Sequence, residues 1–254
     1  RGKSISYGDI VSKGNLSRTY TDAQLANLSI KAAKDRKLIG SETQALDIPN
    51  KTNGAAIYGI DATYEGMVYA KPIVPPTRYG ASVKSVDDSQ AKNVKGYQQT
   101  LVLDDPSDTV PGWALVIADS FHAAQRAERL IKVEWNAGPT ANVSEQDILN
   151  RGAELIEGSS GSLVVEDGEV DATFASANSV FTQSYTTSTV LHFQLEPVNA
   201  IGLQKDGIWE LHTGNQWQSL ILPTLAQSLG VPIEQVVMRT HLLGGGFGRR
   251  LNGD

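Results

Sequence analysis

Leu242-Leu243-Gly244-Gly245-Gly246-Phe247-Gly248-Arg249-Arg250 follows directly on the strand-like run Gln235-Val236-Val237-Met238-Arg239-Thr240-His241. Four glycines around one phenylalanine let main-chain N–H groups approach a ligand with no Cβ in the way, so successive amides can face oxygen or sulfur atoms carrying partial negative charge. Phe247 is the single bulky wall of the loop. A P-loop would end in Gly-Lys-Ser or Gly-Lys-Thr, where Arg249-Arg250 stand instead. A dinucleotide fingerprint begun at Gly244 and Gly246 would need glycine at Arg249 and a helix after it, and neither is present. A glycine-rich bulge or turn with no ligand stays open on the loop alone.

Working back from the loop, Gly230-Val231-Pro232 ends a helix expected from about Trp217 to Leu229, with Leu220, Leu225 and Leu229 on its apolar side and Pro223 expected to kink it or displace its start. Before that helix lie strand-like runs at Ile208–His212, Val198–Gln204 and Val180–Tyr185. Ser144 is expected to cap a helix reaching about Ile156, and Gly158-Ser159-Ser160-Gly161-Ser162 reads as a link. Asn136-Ala137-Gly138-Pro139 is a turn cluster and the best boundary.

Ahead of this boundary the same alternation gives strands at Ala55–Ile60, Met67–Ala70, Ala81–Val86, Tyr97–Leu103, Trp113–Ala118 and Ile131–Trp135. Asp119-Ser120 offers an N-cap for a helix from Phe121 to Leu130. Residues 1–50 are polar, with a short amphipathic candidate at Tyr7–Val11. The fold class expected is α+β, in four parts: a lead-in over 1–50, a compact unit over 51–139, a linker with a short helix over 140–179, and a second unit beginning at 180.

The 254 residues, 40% apolar, suffice to bury roughly 70 to 75% of the unfolded surface. A formal charge of −6 without a Lys/Arg-rich patch leaves nucleic-acid binding no electrostatic footprint. No apolar run approaches the ~20 residues of a membrane helix, so the reading expects a soluble chain. The absence of cysteine removes thiolate metal sites, disulfides and thiol nucleophiles. His122, His192, His212 and His241 lack metal-type spacing, so a metal would have to arrive inside a cofactor.

Three blocks in this order resemble the molybdenum-binding subunit of the xanthine dehydrogenase and aldehyde oxidase superfamily. Asn53-Gly54-Ala55-Ala56-Ile57-Tyr58-Gly59-Ile60-Asp61 through Gly66–Ala70, then Val83–Asp87, Val94–Tyr97 and Ala114–Asp119, resemble its a/b hammerhead domain. His192-Phe193-Gln194-Leu195-Glu196-Pro197 resembles the block opening its molybdopterin-binding domain, and Gly230-Val231-Pro232 to Gly248 resembles the helix, strand and glycine loop that reach the cofactor. Arg249-Arg250, with the lead-in Lys37-Leu38-Ile39-Gly40, resembles the branch of isoquinoline 1-oxidoreductase beta subunits and membrane-bound aldehyde dehydrogenases.

The resemblance implies a hammerhead domain at 51–139 and, from 180 to 254, the start of a mixed α/β molybdopterin-binding domain. It implies molybdenum held by molybdopterin cytosine dinucleotide, with oxidation of a heteroaromatic ring or aldehyde by oxygen taken from water. The implied cofactor-binding residues are Gly244, Gly245, Gly246, Phe247, Gly248 and Gln216, with the amides of Gly246, Phe247 and Gly248 on the molybdenum ligand sphere. The general-base glutamate of the family falls beyond Asp254, so the chain alone is expected inactive and free of cofactor, a piece of something longer. The implied partners are a small 2Fe–2S subunit, a cytochrome c subunit and a small-molecule substrate, in a periplasmic or membrane-associated setting reached through those partners. The competing reading is a non-catalytic scaffold that docks an electron-transfer subunit.

Plainer roles stand beside these. Glu196 reads better as a hydrogen-bonded carboxylate at a strand end than as a catalytic base. Gln216 would as readily cap the helix that follows it. Arg249 and Arg250 would pair with cofactor phosphates or, by preference, with carboxylates of a neighbouring domain. Trp209 and Trp217 are expected in the core.

Overall fold

The computed structural model describes residues 4–14, 16–77, 80–103, 113–158 and 161–251. Its contacts divide the chain between Ala55 and Ala56 into two units. Ser159 and Ser160 of the expected link lie outside the described residues.

The first unit, 1–55, carries three short helices: α1 (Tyr7–Lys13), α2 (Asp22–Ala26) and α3 (Ile48–Asn53). The hydroxyls of Ser6 and Thr21 cap the first two by accepting from the N–H groups of Asp9 and Gln24. α3 ends at Gly54, whose φ of 79° supplies the left-handed turn that closes a helix.

In the second unit, β1 (Tyr69–Ile73), β2 (Ser82–Asp87), β3 (Tyr97–Val102), β4 (Ala114–Ala118), α4 (Phe121–Glu128) and β5 (Lys132–Asn136) follow the expected order. β4 is the centre of an antiparallel sheet of order β1-β4-β3, and β2 pairs antiparallel with β5. Ala114, Val116 and Ala118 of β4 are buried, since alternate side chains of a strand share one face. Against that face lies α4, capped by Ser120 as expected, with Ala127 about one helical turn beyond the adjacent Ala123 and Ala124. Alanines here let helix and sheet approach closely, and Tyr69, Ile73, Tyr97 and Ile131 close the cluster.

α5 (Glu145–Glu157) begins with a Ser144–Asp147 capping box, and α6 (Val170–Ser176) follows where no helix was expected. β6 (Ile201–Lys205), β7 (Ile208–Thr213), α7 (Gln218–Leu229) and β8 (Val236–Thr240) form a second sheet of order β6-β7-β8. β6 and β7 make an antiparallel hairpin across Asp206-Gly207, both at positive φ. β7 and β8 are parallel, so the chain must cross back along the sheet, and α7 is that crossover. α7 runs through Pro223 to Gly230, which ends it at φ 65°. The glycine loop therefore leaves the carboxyl end of β8, beside the carboxyl end of β7.

Two strand expectations fail. Val180–Tyr185 forms no strand, and residues 177–200 lie outside every helix and sheet. Ala55–Ile60 keeps only an isolated bridge from Tyr58 to Leu242, followed by a 3-10 turn at Gly59–Asp61. A strand needs a hydrogen-bonding neighbour, and no described residues lie alongside 180–185 to supply one.

Candidate functional site

Two residues beyond β7, the chain passes Gly214 and Asn215 to reach Gln216. Asn215 Oδ1 accepts from Trp217 N–H at 2.7 Å in a turn just ahead of α7, and neither Asn215 nor Gln216 caps the helix, whose N-cap residue Trp217 makes no side-chain cap bond. Gln216 is turned instead onto the glycine loop: its Oε1 accepts from Gly248 N–H at 3.1 Å, and its own N–H donates to the Arg250 carbonyl at 3.0 Å. Trp217, expected in the core, is exposed, with its indole N–H on Ser219 Oγ.

The loop is close-packed on this side. A Cβ built on the buried Gly246 would stand 2.3 Å from Gln216 Oε1, closer than real Cβ contacts come. Gly245 and Gly248 have φ of 96° and 91°, and between them Phe247 is held at φ 53° with its residue 72% exposed. That left-handed conformation is costly for a side chain as bulky as phenylalanine and persists only where the surroundings impose it. Gly246 carbonyl accepts from Arg249 N–H at 2.8 Å. Among the described residues the N–H groups of Gly246 and Phe247 have no hydrogen-bond partner.

The block 192–196 crosses the opposite side of the loop with the two-residue period of extended chain. Glu196 meets Gly244, Gln194 Cβ lies 3.4 Å from where a Gly245 Cβ would be, and His192 Nε2 lies 3.5 Å from the corresponding position at Gly248. The intervening Phe193 and Leu195 face outward, 86% and 93% exposed.

Glu196 is 7% exposed, and its carboxylate is filled by partners. Oε2 accepts from Gly244 N–H at 2.6 Å, and Oε1 accepts from Ile60 N–H and from Asn199 Nδ2, both at 3.0 Å. Arg250, 4% exposed, lies with Nη1 3.0 Å from Oε2. That approach is too poorly aligned to be a hydrogen bond, and Nη1 and Nε have no hydrogen-bond partner among the described residues. Nη2 instead donates to the carbonyls of Glu196 at 2.7 Å and Pro197 at 3.2 Å. Arg250 thus pairs with a carboxylate of its own unit, 54 residues back.

Burial alone would push the Glu196 pKa up. The Gly244, Asn199 and Ile60 donors and the Arg250 charge outweigh it and hold the carboxyl below the usual glutamate value. A carboxylate with a depressed folded pKa contributes stability that is complete above its unfolded pKa and lost as pH falls through the folded one. In urea titrations across the acid range, the wild-type protein should therefore lose more stability below the ordinary glutamate pKa than Glu196→Gln does. Parallel losses for the two would disprove this role.

Near the end of β8, Arg239 Nη2 donates to Glu210 Oε1 at 2.8 Å and lowers the Glu210 pKa. Tyr64 Oη lies 2.8 Å from Nδ1 of the buried His212, whose ring is tilted 46° to that of His241 with centroids 5.7 Å apart. These histidines are satisfied polar residues. Among the described residues no cluster of three or more His, Cys, Asp or Glu side chains could hold a metal ion, and no helix is long and apolar enough to cross a membrane.

Gly244 to Gly248 and Gln216, named from sequence, are thus brought into one site. Sequence reasoning missed Asn215 and the pairing of Glu196 with Arg250; each residue was visible, but nothing in the local pattern joins positions so far apart.

Residues 156–253 match the molybdopterin cofactor-binding domain family. The chain is 57% identical over its whole length to a membrane-bound aldehyde dehydrogenase [pyrroloquinoline-quinone] of Gluconacetobacter polyoxogenes, spanning 33% of that protein. It is 31% identical to isoquinoline 1-oxidoreductase subunit beta of Brevundimonas diminuta over 88% of the chain and 29% of the relative. The chain thus spans about a third of the length of these relatives. Quinoline 2-oxidoreductase from Pseudomonas putida 86 shares the fold, with a TM-score of 0.59 at 20% identity over 84% of this chain and 32% of that one.

Proposed function

We propose that this chain, whose residues 156–253 match the molybdopterin cofactor-binding domain family, contributes the glycine-loop wall of a catalytic subunit of the xanthine dehydrogenase and aldehyde oxidase superfamily that oxidises an aldehyde or a heteroaromatic ring. The cofactor of this reading is molybdopterin cytosine dinucleotide, which supplies two-electron oxidation with an oxygen atom taken from water. The observation that carries it is the pair of partnerless N–H groups at Gly246 and Phe247, presented from a loop too tight to admit a Cβ at Gly246. Donors already aimed at a developing negative charge need no reorganisation when the charge appears.

Each residue of the loop has a part in this reading. Gly246 and Phe247 donate main-chain hydrogen bonds to the cofactor. Gly244, Gly245 and Gly248 set the path of the loop, and Gln216 closes its floor through Gly248. The exposed Phe247 ring walls the substrate side and limits water. In the same reading 51–139 is the hammerhead domain, 1–50 a lead-in, 140–179 a linker and 180–254 the start of the cofactor domain. Electrons leave to a small 2Fe–2S subunit and a cytochrome c subunit, through which the protein is held at a membrane.

The 57% identical relative is named for pyrroloquinoline quinone, which favours a second reading in which that quinone is the redox group. The two separate cleanly. Metal analysis of the complete, active protein should find stoichiometric molybdenum, and the denatured extract should release a pterin nucleotide and no redox-cycling quinone. Full activity with extractable quinone and no molybdenum would overturn the proposal.

A further inference from the structure

We propose that Glu196, with Arg250, is a positioning residue that sets the glycine loop in its ligand-ready shape before any cofactor arrives. Its functional consequence rests on the molybdopterin reading; its structural part does not. Glu196 holds both ends of the loop at once. At the entry, its carboxylate accepts from Gly244 N–H, and its own N–H donates to the Gly244 carbonyl at 3.2 Å. At the exit, the same carboxylate faces the Arg250 guanidinium, which is anchored on the carbonyls of Glu196 and Pro197. Arg250 passes the constraint on, because its carbonyl accepts from Gln216 N–H and the Gln216 side chain accepts from Gly248 N–H. A third segment is drawn in through Ile60 N–H and the 3-10 turn Gly59–Asp61.

Packing leaves this knot no slack. A Cβ would fall 2.5 Å from Asn199 Oδ1 at Gly59, 2.5 Å from Leu243 Cβ at Gly214, and 2.5 Å from Glu196 Cβ at Gly244. These three glycines surround the ion pair and let four chain segments meet on it. A buried ion pair adds little stability over apolar residues of similar volume, whereas losing one partner leaves a buried charge uncompensated. What the pair supplies here is direction. The Glu196 oxygens accept the Gly244 and Ile60 amides, while the Gly246 and Phe247 amides are left without a partner among the described residues. The inward guanidinium is also removed from any role in binding cofactor phosphate.

The test uses the complete protein, purified with cofactor and also from a host that makes no molybdopterin. Amide hydrogen exchange is followed in the cofactor-free form, and molybdenum per subunit in the other. With Glu196→Gln, exchange at 244–250 and at Ile60 should rise at least tenfold while the β4 amides around Val116 are unchanged, and molybdenum content should fall at least fivefold. Arg250→Lys, a milder change in case the first variant folds poorly, should move both readouts in the same direction by a smaller factor. Glu196→Gln combined with Arg250→Met should exchange more slowly in the loop than Glu196→Gln alone, since no unpaired cation is left buried. Exchange rising equally in β4, or a loop unchanged in both single variants, would overturn the positioning role. A wild-type protein devoid of molybdenum would instead sink the cofactor reading, and the exchange comparison would still decide this one.

Discussion

Gly244→Ala should lower the melting temperature of the complete protein more than any other single methyl added to the loop. The new Cβ would stand 2.5 Å from Glu196 Cβ and 3.3 Å from Glu196 N, and neither is the free end of a flexible side chain. The 192–196 block would have to move bodily, carrying with it the carboxylate on which Gly244, Ile60, Asn199 and Arg250 converge. Overpacking a tight site costs about 1–3 kcal/mol, and freeing a buried charge from its partner costs about 3–5 kcal/mol. Even about 3 kcal/mol corresponds to a fall of roughly 6–12 °C for a domain of this size. Differential scanning calorimetry reads this directly; a variant melting with the wild type would mean that the 196–244 contact is loose.

Gly246→Ala has the opposite signature. Its Cβ would collide with Gln216 Oε1 and Cδ, at 2.3 and 2.6 Å, which are the far end of an exposed, flexible side chain. Gln216 can swing away, giving up its hydrogen bond from Gly248 for about 1 kcal/mol of stability. In the molybdopterin reading the cofactor surface loses far more, because accommodating the methyl against Gln216 shifts the backbone that carries the Gly246 and Phe247 N–H groups. Loss of about 2–3 kcal/mol of binding corresponds to a factor of about 30–150 in affinity. Molybdenum content and turnover should therefore collapse together while the melting temperature stays near wild type. Full molybdenum occupancy in this variant would favour the scaffold reading, in which the loop touches no cofactor. Gln216→Ala is the informative companion, since it frees Gly248 N–H without adding bulk and should lower occupancy less than Gly246→Ala.

Local pattern was most readable where an element satisfies itself. α4 was legible because Ser120 caps it and its alanines recur at helical spacing, and α7 because Gly230 stops it in a left-handed turn. The parallel pairing of β7 and β8 is what a connection as long as α7 allows, though their register is set by the sheet itself. Val180–Tyr185 carries an equally plausible strand pattern, yet it lies open because a strand is stabilised only by a neighbour. Pro223 does not end α7: the helix continues through it, with Ile221 and Ala226 buried on either side.

Chain order alone determined that a glycine-rich, phenylalanine-bearing loop must leave the end of a strand after a crossover helix, because composition and spacing act over a single turn or ladder. Tertiary structure alone decided which amides that loop leaves open. Gly244 is taken by Glu196 and Gly248 by Gln216, while Gly246 and Phe247 remain free among the described residues. Hydrogen bonds and a buried charge pair between residues tens of positions apart exist only once the backbone has brought them within about 3 Å, and no local pattern carries that distance.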